Sequence, residues 1–450
     1  MGLSLTHADT GLDIAVIGSG ISGLSCAWLL AKHHRVTIYE ADDRVGGHSC
    51  TVDVPGAGVS SPVDMGFIVY NEPTYPNLTA LFRHLDVPNE ATCMSLAVSL
   101  DGGALEYGGD SVSALFAQKK NLIRPRFWRM LRDLVRFYRS APRDLAGLDK
   151  DLCTLGAYLD EKGFCDALQD DHLLPMAAAI WSSPACAIRD YPAASFIRFC
   201  QTHGLLKLTG RPIWRTVTGG ARAYVERILA DFSGDVLLSR PVRGVARTAD
   251  GVTVHDALGG IRQFDQAVIA THGDQALAML DAPTRQERDI LSAFRTFPNH
   301  AVMHRDASLM PQRRAVWSSW NFIGTRAEFN QAPCVTYWMN RLQNLPGPDL
   351  FVTLNPQREP AAGTVVRAQA FTHPVFDAAS VAAQRRVWSL QGVDRISYCG
   401  AHFGSGFHED GLQAGLAVAE MFPGVKRPWN VADESGRIHV HAAPSPLVPA

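Results

Sequence analysis

Gly18-Ser19-Gly20-Ile21-Ser22-Gly23, with Glu40 further on, is the part of this chain whose residue types and spacing point most directly to chemistry. Gly18 makes a tight turn, Gly20 lets the main chain approach a pyrophosphate, and Gly23 lets a helix pack closely on a strand. Glu40 stands 20 residues beyond Gly20, the distance of a carboxylate that accepts from ribose hydroxyls. Such a turn works only between a strand and a helix. The apolar run Ile14-Ala15-Val16-Ile17 predicts a buried parallel strand, Leu24 to Lys32 a helix, and Val36-Thr37-Ile38-Tyr39 the second strand of a βαβ unit. Ser22 falls at the start of that helix, where unpaired N–H groups and a partial positive charge meet phosphate.

Ala41 follows Glu40, and Asp43-Arg44-Val45-Gly46-Gly47 then resembles the R-x-G-G extension of flavoproteins in the amine oxidase and phytoene desaturase superfamily. A glycine pair lets the chain pass close to a cofactor, and arginine pairs with phosphate in bidentate fashion. The resemblance implies FAD rather than NAD. It places Gly18, Gly20, Ser22, Gly23, Glu40, Ala41, Arg44, Gly46 and Gly47 around the adenosine and pyrophosphate. Val63-Asp64-Met65-Gly66-Phe67-Ile68-Val69-Tyr70-Asn71, after a probable hairpin, narrows the likeness. It is similar to predicted FAD-dependent oxidoreductases related to the oxidase-like N-terminal part of plant cyclopropane fatty acid synthases, a group associated with fatty acyl modification. This implies that Met65 and Gly66 run beside the isoalloxazine, with Tyr70 and Asn71 as polar groups near it. A buried strand with a capped turn is the alternative for Tyr70.

Near the C-terminus, Ile396 to Gly415 reads as a strand, a glycine-rich turn and a helix from about Gly411 to Met421. This resembles the superfamily's C-terminal flavin motif and implies flavin contacts from Gly400, Asp410 and Gly411. Between the two ends, Val242 matches the position that contacts adenine, and Thr271 ends a strand that passes the cofactor. A helix N-terminus against the flavin would stabilise negative charge on its reduced form. Cys399 does not match the usual attachment signature, so the FAD is expected to be non-covalent.

The composition (46% apolar, 19% charged) is that of a globular protein, and 42 basic against 44 acidic residues give nucleic acid no general attraction. Nine scattered cysteines without a C-x-x-C pair indicate reduced thiols and a cytoplasmic setting. Residues 1–10 show no leader pattern, and no apolar stretch is long enough to span a membrane. His402 and His408 share a loop with Glu409 and Asp410, but no metal-ligand spacing is present, so no metal is expected. His402 is a candidate polar group at the reactive face, or else an anchor of its loop.

The expected fold is α/β, a Rossmann-like FAD-binding domain interleaved with an α+β substrate domain in the amine oxidase-like two-domain manner. Residues 1–72, 216–294 and 391–430 form the FAD domain. Residues 73–215 form a mainly helical substrate part interrupted at Leu96 to Tyr107, 295–390 a substrate sheet, and 431–450 a poorly structured tail. Nine basic residues and one acid, Asp133, occupy 119–143. There the helix 125–139 places Phe127, Met130, Leu131, Leu134, Val135 and Tyr138 on one face, with Arg126, Arg129, Arg132, Arg136 and Arg139 opposite. Such a helix docks on an anionic membrane or an acidic partner, or packs on the core with a solvated arginine face. Met176, Ile180, Trp181, Phe196, Phe199 and Trp214 line an apolar tunnel or form core.

Together these imply an FAD-dependent oxidoreductase that desaturates or otherwise oxidises an unsaturated or methyl-branched fatty acyl chain of a phospholipid. His402, Tyr70 and Asn71 are the catalytic candidates. With no second dinucleotide fingerprint, electrons pass to an external acceptor such as O2, at the inner face of the membrane. The alternatives are a redox-neutral acyl isomerase, an amine oxidase and a lipid-binding flavoprotein.

Overall fold

The computed structural model of the protein describes residues 11–56, 60–148 and 153–441. The readings of residues 1–10 and of 442–450 lie outside them. Strand Asp13–Ile17 is buried from Ile14 onward, as an apolar run must be when both faces of a sheet are covered. It is the middle of a five-stranded parallel sheet ordered Asp235–Leu237, Arg35–Tyr39, Asp13–Ile17, Gln266–Ile269, Ile396–Tyr398. The helix after the first strand spans Ile21–Leu30. It begins earlier than its apolar pattern implied, because Gly20 is already extended and serves as the N-cap. The C-terminal helix His408–Ala419 packs directly on it. That contact needs Gly415, where a Cβ would stand 2.2 Å from the Ser22 carbonyl oxygen.

The second layer is a seven-stranded sheet ordered Val365–Pro374, Thr296–His304, Phe351–Leu354, Cys334–Trp338, Trp320–Gly324, Leu96–Leu100, Leu105–Gly108. The alternating segment 96–107 is therefore an edge hairpin of this sheet rather than an interruption among helices, joined parallel to Trp320–Gly324. A small sheet joins Tyr70–Asn71, Trp214–Val217 and Asn89–Thr92 where the two domains meet.

The arginine-rich helix runs Pro125–Leu148, past the expected end at 139 and through Pro142. Its buried face is Phe127, Met130, Asp133, Phe137 and Ala141, whereas Leu131, Leu134, Val135 and Tyr138 are only half-buried. The stripe is rotated because Asp133 points inward, where its Oδ2 accepts from the Cys165 amide at 2.9 Å. Three of the arginines expected to face a partner make bonds within the fold, Arg132 donating to Asp133 Oδ1 at 3.2 Å. Arg126 donates to both oxygens of Asp171, at 2.7 and 3.0 Å, and Arg136 donates to the Lys162 and Gly163 carbonyls.

The stretch 431–441, expected as loose tail, is folded back onto the body. Arg437 pairs with Asp410 and lies 5.0 Å over the Tyr75 ring, and Ile438 is buried. Among the described residues no helix is long and apolar enough to cross a membrane.

Candidate active site

One continuous cavity of about 800 Å3 runs from the glycine turn of the parallel sheet to the inner face of the seven-stranded sheet. At its first end the main chain does most of the shaping. Gly18 has φ +101°, open to glycine, and a Cβ on Gly20 would meet nothing within 4 Å, leaving that side of the turn free for a ligand. Glu40 is oriented by the Ser19 and Asp42 amides, which donate to its two oxygens at 3.0 and 2.9 Å. The R-x-G-G turn docks on the first turn through Gly46 N to Ser19 O at 3.0 Å, and Arg44 Nη2 donates to Gly47 O at 2.8 Å.

Gly18, Gly20, Ser22, Glu40, Ala41, Arg44, Gly46, Gly47, Met65, Gly66, Val242, Thr271, Gly400 and His402 all line this cavity. These residues fit FAD, with an acid for ribose, a glycine cradle for pyrophosphate, and Met65-Gly66 continuing toward the second sheet. Gly66 admits nothing larger, because a Cβ would lie 2.2 Å from His48 O.

Three of the expected cofactor contacts lie outside the lining and act on packing instead. A Cβ on Gly23 would stand 1.9 Å from Gly18 O, so this glycine lets the helix seat on the strand. Gly411 does the same against Ile21, and Asp410 Oδ2 caps the last helix by accepting from Phe407 N at 2.8 Å. The catalytic candidates Tyr70 and Asn71 are also displaced from the cavity. Pairing with Trp214–Val217 turns Tyr70 into the core of the FAD domain, edge-on to Phe82 and Tyr75. Asn71 Oδ1 accepts from the Thr74 amide and hydroxyl at 3.1 and 2.7 Å, which caps a short 3-10 turn. Cys399 is buried against Cys26 and is likewise absent from the lining.

The second end is built from side chains of many segments. Of the aromatic and apolar residues weighed for a tunnel, Ile180, Trp181, Phe199 and Trp214 line it, while Met176 and Phe196 are core. Phe67, Tyr75, Trp320, Tyr337, Phe371, Phe376 and Phe407 complete the aromatic wall. The charged residues of the lining, among those described, are Glu40, Asp42, Arg44 and Arg240, all at the dinucleotide end.

Six histidines face the cavity: His48, His203, His272, His373, His402 and His408. Burial holds all six below the ordinary imidazole range, with His373 brought down to about 4 and His203, His402 and His408 to about 3. They are therefore neutral at pH 7. His48 lies 5.1 Å from both Phe371 and His373, and 6.4 Å from His272. Asn355 donates to Asn299 Oδ1 at 2.7 Å, so Asn299 turns its amide nitrogen to His373 Nδ1 at 2.9 Å. His408 stacks on Phe67 at 3.7 Å, with Nε2 3.0 Å from Ser49 Oγ and 3.1 Å from Tyr224 Oη. His402 is wedged edge-on against Phe294, and its Nε2 is buried without a partner. Among the described residues no cluster is arranged to hold a metal ion.

Sequence reasoning passed over most of this wall. Alternation along Val365–Pro374 puts Phe371 and His373 on one side of an edge strand, a period-two signal readable only once that stretch is known to be a strand. His48, directly after the glycine pair, was the nearest signal to a recognised motif.

A nucleotide-binding parallel sheet opening into an apolar chamber under a mixed sheet defines a two-domain flavoprotein. The profile of the family described as flavin containing amine oxidoreductase matches residues 21–303, and the chain belongs to that family. FAD is its cofactor. A Mycobacterium tuberculosis relative bearing the name flavin-containing monoamine oxidase AofH is 27% identical over 256 residues. That match spans 56% of this chain and 55% of the relative, so about half of each. Among solved structures, the CLA-producing fatty acid isomerase from P. acnes superposes with a TM-score of 0.63 at 16% identity, covering 92% of this chain and 99% of that one. Wild-type putrescine oxidase bound to putrescine gives 0.60 at 16% identity, over 91% and 98%. At these identities the likeness defines the fold.

Proposed function

We propose that this FAD-dependent oxidoreductase desaturates or otherwise oxidises an unsaturated or methyl-branched fatty acyl chain of a phospholipid. The observation that carries the reading is the substrate half of the cavity: aromatic, and without one ionised side chain. A cationic polyamine would lie there with no carboxylate to pair with, and an unpaired buried charge is costly. An acyl chain has only apolar surface to bury. The sequence likeness to oxidoreductases associated with fatty acyl modification supports the same class.

FAD, when bound, supplies the two-electron acceptor that takes a hydride. The chain's own residues exclude water, straighten the acyl chain between Trp181, Phe199 and Phe371, and take up the accompanying proton. His402 Nε2 is the acceptor we assign, being neutral, lining the cavity and unpartnered. Gln384 fixes its loop by donating to the carbonyls of His402 and Gly404, at 2.9 and 2.5 Å. Loss of hydride is easiest beside a double bond or branch, where developing positive charge is spread. The electrons then leave to an external acceptor, O2 among the candidates.

The deciding experiment mixes the holoprotein anaerobically with phospholipids bearing monounsaturated or methyl-branched chains. Bleaching of the flavin together with an acyl product lacking two hydrogens supports the proposal. A product of unchanged mass with no bleaching identifies an isomerase. Bleaching by amines but by no lipid overturns the acyl reading in favour of an amine oxidase.

A further inference from the structure

The large apolar side chains that the described surface leaves exposed include two groups, one on a loop and one at the start of the arginine-rich helix. Leu208 and Ile213, 64% and 70% exposed, stand on the surface loop 207–213. Leu122, Ile123 and Trp128 cluster at the start of the arginine-rich helix, where the Trp128 indole donates to Leu122 O at 2.9 Å. The loop has a defined shape. Gly204, at φ +68°, packs under Pro212, Gly210 turns the tip at φ +66°, and Arg211 Nε donates to Lys207 O at 2.7 Å. This closed form holds Leu208 and Ile213 in water, an arrangement that costs free energy unless something covers them.

Both roots of the loop belong to the cavity. His203 and Leu205 line it on one side and Trp214 on the other, the last two being half-buried. The charge carried by the loop itself is of one sign. Residues 201–214 carry Lys207 and Arg211 and no acid, and residues 116–132 carry six basic residues and no acid, in a chain of net charge −2. Arg211 also lies close enough to Tyr138 of the arginine-rich helix, and to His172, to act on their ionisation. Arg211 thus borders the Tyr138 side of that helix.

We infer that loop 207–213 docks the protein on an anionic phospholipid bilayer. Leu208 and Ile213 enter the acyl layer, while Lys207 and Arg211 lie among the headgroups. Apolar tips ringed by bases match a fluid anionic surface, which needs no fixed geometry in its partner. The docked position puts the loop's roots, and with them the cavity, at the level where an acyl chain can leave the bilayer. The inference rests on the acyl-chain reading for its purpose, but the binding is measurable without turnover.

The test is sedimentation of the FAD-loaded protein with vesicles of phosphatidylcholine alone or mixed with phosphatidylglycerol, over a range of salt. The expected result is preferential binding to the mixed vesicles, by about tenfold, fading as salt rises. Leu208→Ser/Ile213→Ser should lose about tenfold in vesicle partition and Lys207→Glu/Arg211→Glu most of the anionic preference, each with an unchanged flavin spectrum. A wild-type protein that ignores the mixed vesicles, or a Leu208→Ser/Ile213→Ser variant that binds them fully, overturns the inference. So does Trp128→Ser abolishing binding while the loop variants do not. If vesicles bind but no acyl product forms, docking stands and the acyl reading falls. If product forms from detergent-dispersed lipid without vesicle binding, the reverse holds.

Discussion

At the dinucleotide end of the cavity the protein presents main chain, and at the substrate end it presents side chains. The first end is assembled from short runs, within 18–22, 40–47 and 65–66, whose glycines bring amides close to a charged ligand. The second draws on widely separated segments, among them Phe67, Trp181, Phe199, Tyr337 and Phe371, and contributes shape and dryness. A diphosphate needs N–H groups and room, which glycine turns provide in any family member. An acyl chain needs only volume and apolar surface, which many different side chains provide. The cofactor end is therefore under tight local constraint, and the substrate end is free to vary as long as the wall stays apolar.

The largest expected effect breaks the first end. Gly23→Ala would force a Cβ to 1.9 Å from Gly18 O, so the variant should lose about 3 kcal/mol or more and its FAD together, read by thermal unfolding and flavin absorbance. Truncating the second end should behave differently. Trp181→Ala removes a 5% exposed ring from the wall and should cost about 3 kcal/mol in stability. It should keep its flavin while losing most acyl turnover. A chain equally poor in FAD would show that the two ends are not independent.

His402→Asn sharpens the contrast at the boundary. It should lower turnover about 10²-fold with FAD affinity unchanged, measured by single-turnover bleaching against flavin titration.

Acid titrates the two ends unequally, because the buried histidines crowd the substrate side. Each is neutral in the fold, with values near 3 to 4 where they are large, against 6.5 when unfolded. Below pH 6.5 the unfolded chain binds the extra protons, so stability should fall as pH drops from 6.5 towards 4. Burial pushes Asp64 up to about 7 and also raises Asp170, Glu409 and Asp410, an effect of opposite sign that weakens the fold as pH rises, but these are four groups against ten histidines held low. Urea midpoints across that range check the direction. A rise in stability on acidification would mean that the histidines are charged in the fold. The smallest effect belongs to Tyr70→Phe, which should stay within about 1 kcal/mol and leave turnover intact, since the ring packs in the FAD-domain core.

The cofactor half was legible because its determinants are local. Strand, glycine turn, helix and acid follow one another within 13 to 47, and a short run rich in Ile and Val directly before a glycine turn reads as a buried strand. The interleaving of strands from three stretches into one parallel sheet followed from the order of motifs. The arginine-rich helix was placed correctly, but its inward face was not. The periodicity of Leu131, Leu134 and Val135 cannot reveal that Asp133 has the Cys165 amide to bind, nor that Asp171 waits for Arg126. For Tyr70 and Asn71 the fold follows the alternative, a buried strand with a capped turn, for a related reason. Alternation says which residues share a face, and the strand partner Trp214–Val217 decides which face meets the cavity.

What the sequence determined by itself was the βαβ turn, its acid, the paired glycines and therefore a flavin nucleotide, because each depends on neighbours a few residues away. What only the tertiary structure decided was the chamber beyond: which aromatics are wall and which are core, and which histidines lose their water. Those outcomes depend on what packs opposite, and opposite faces come from parts of the chain that no local spacing relates.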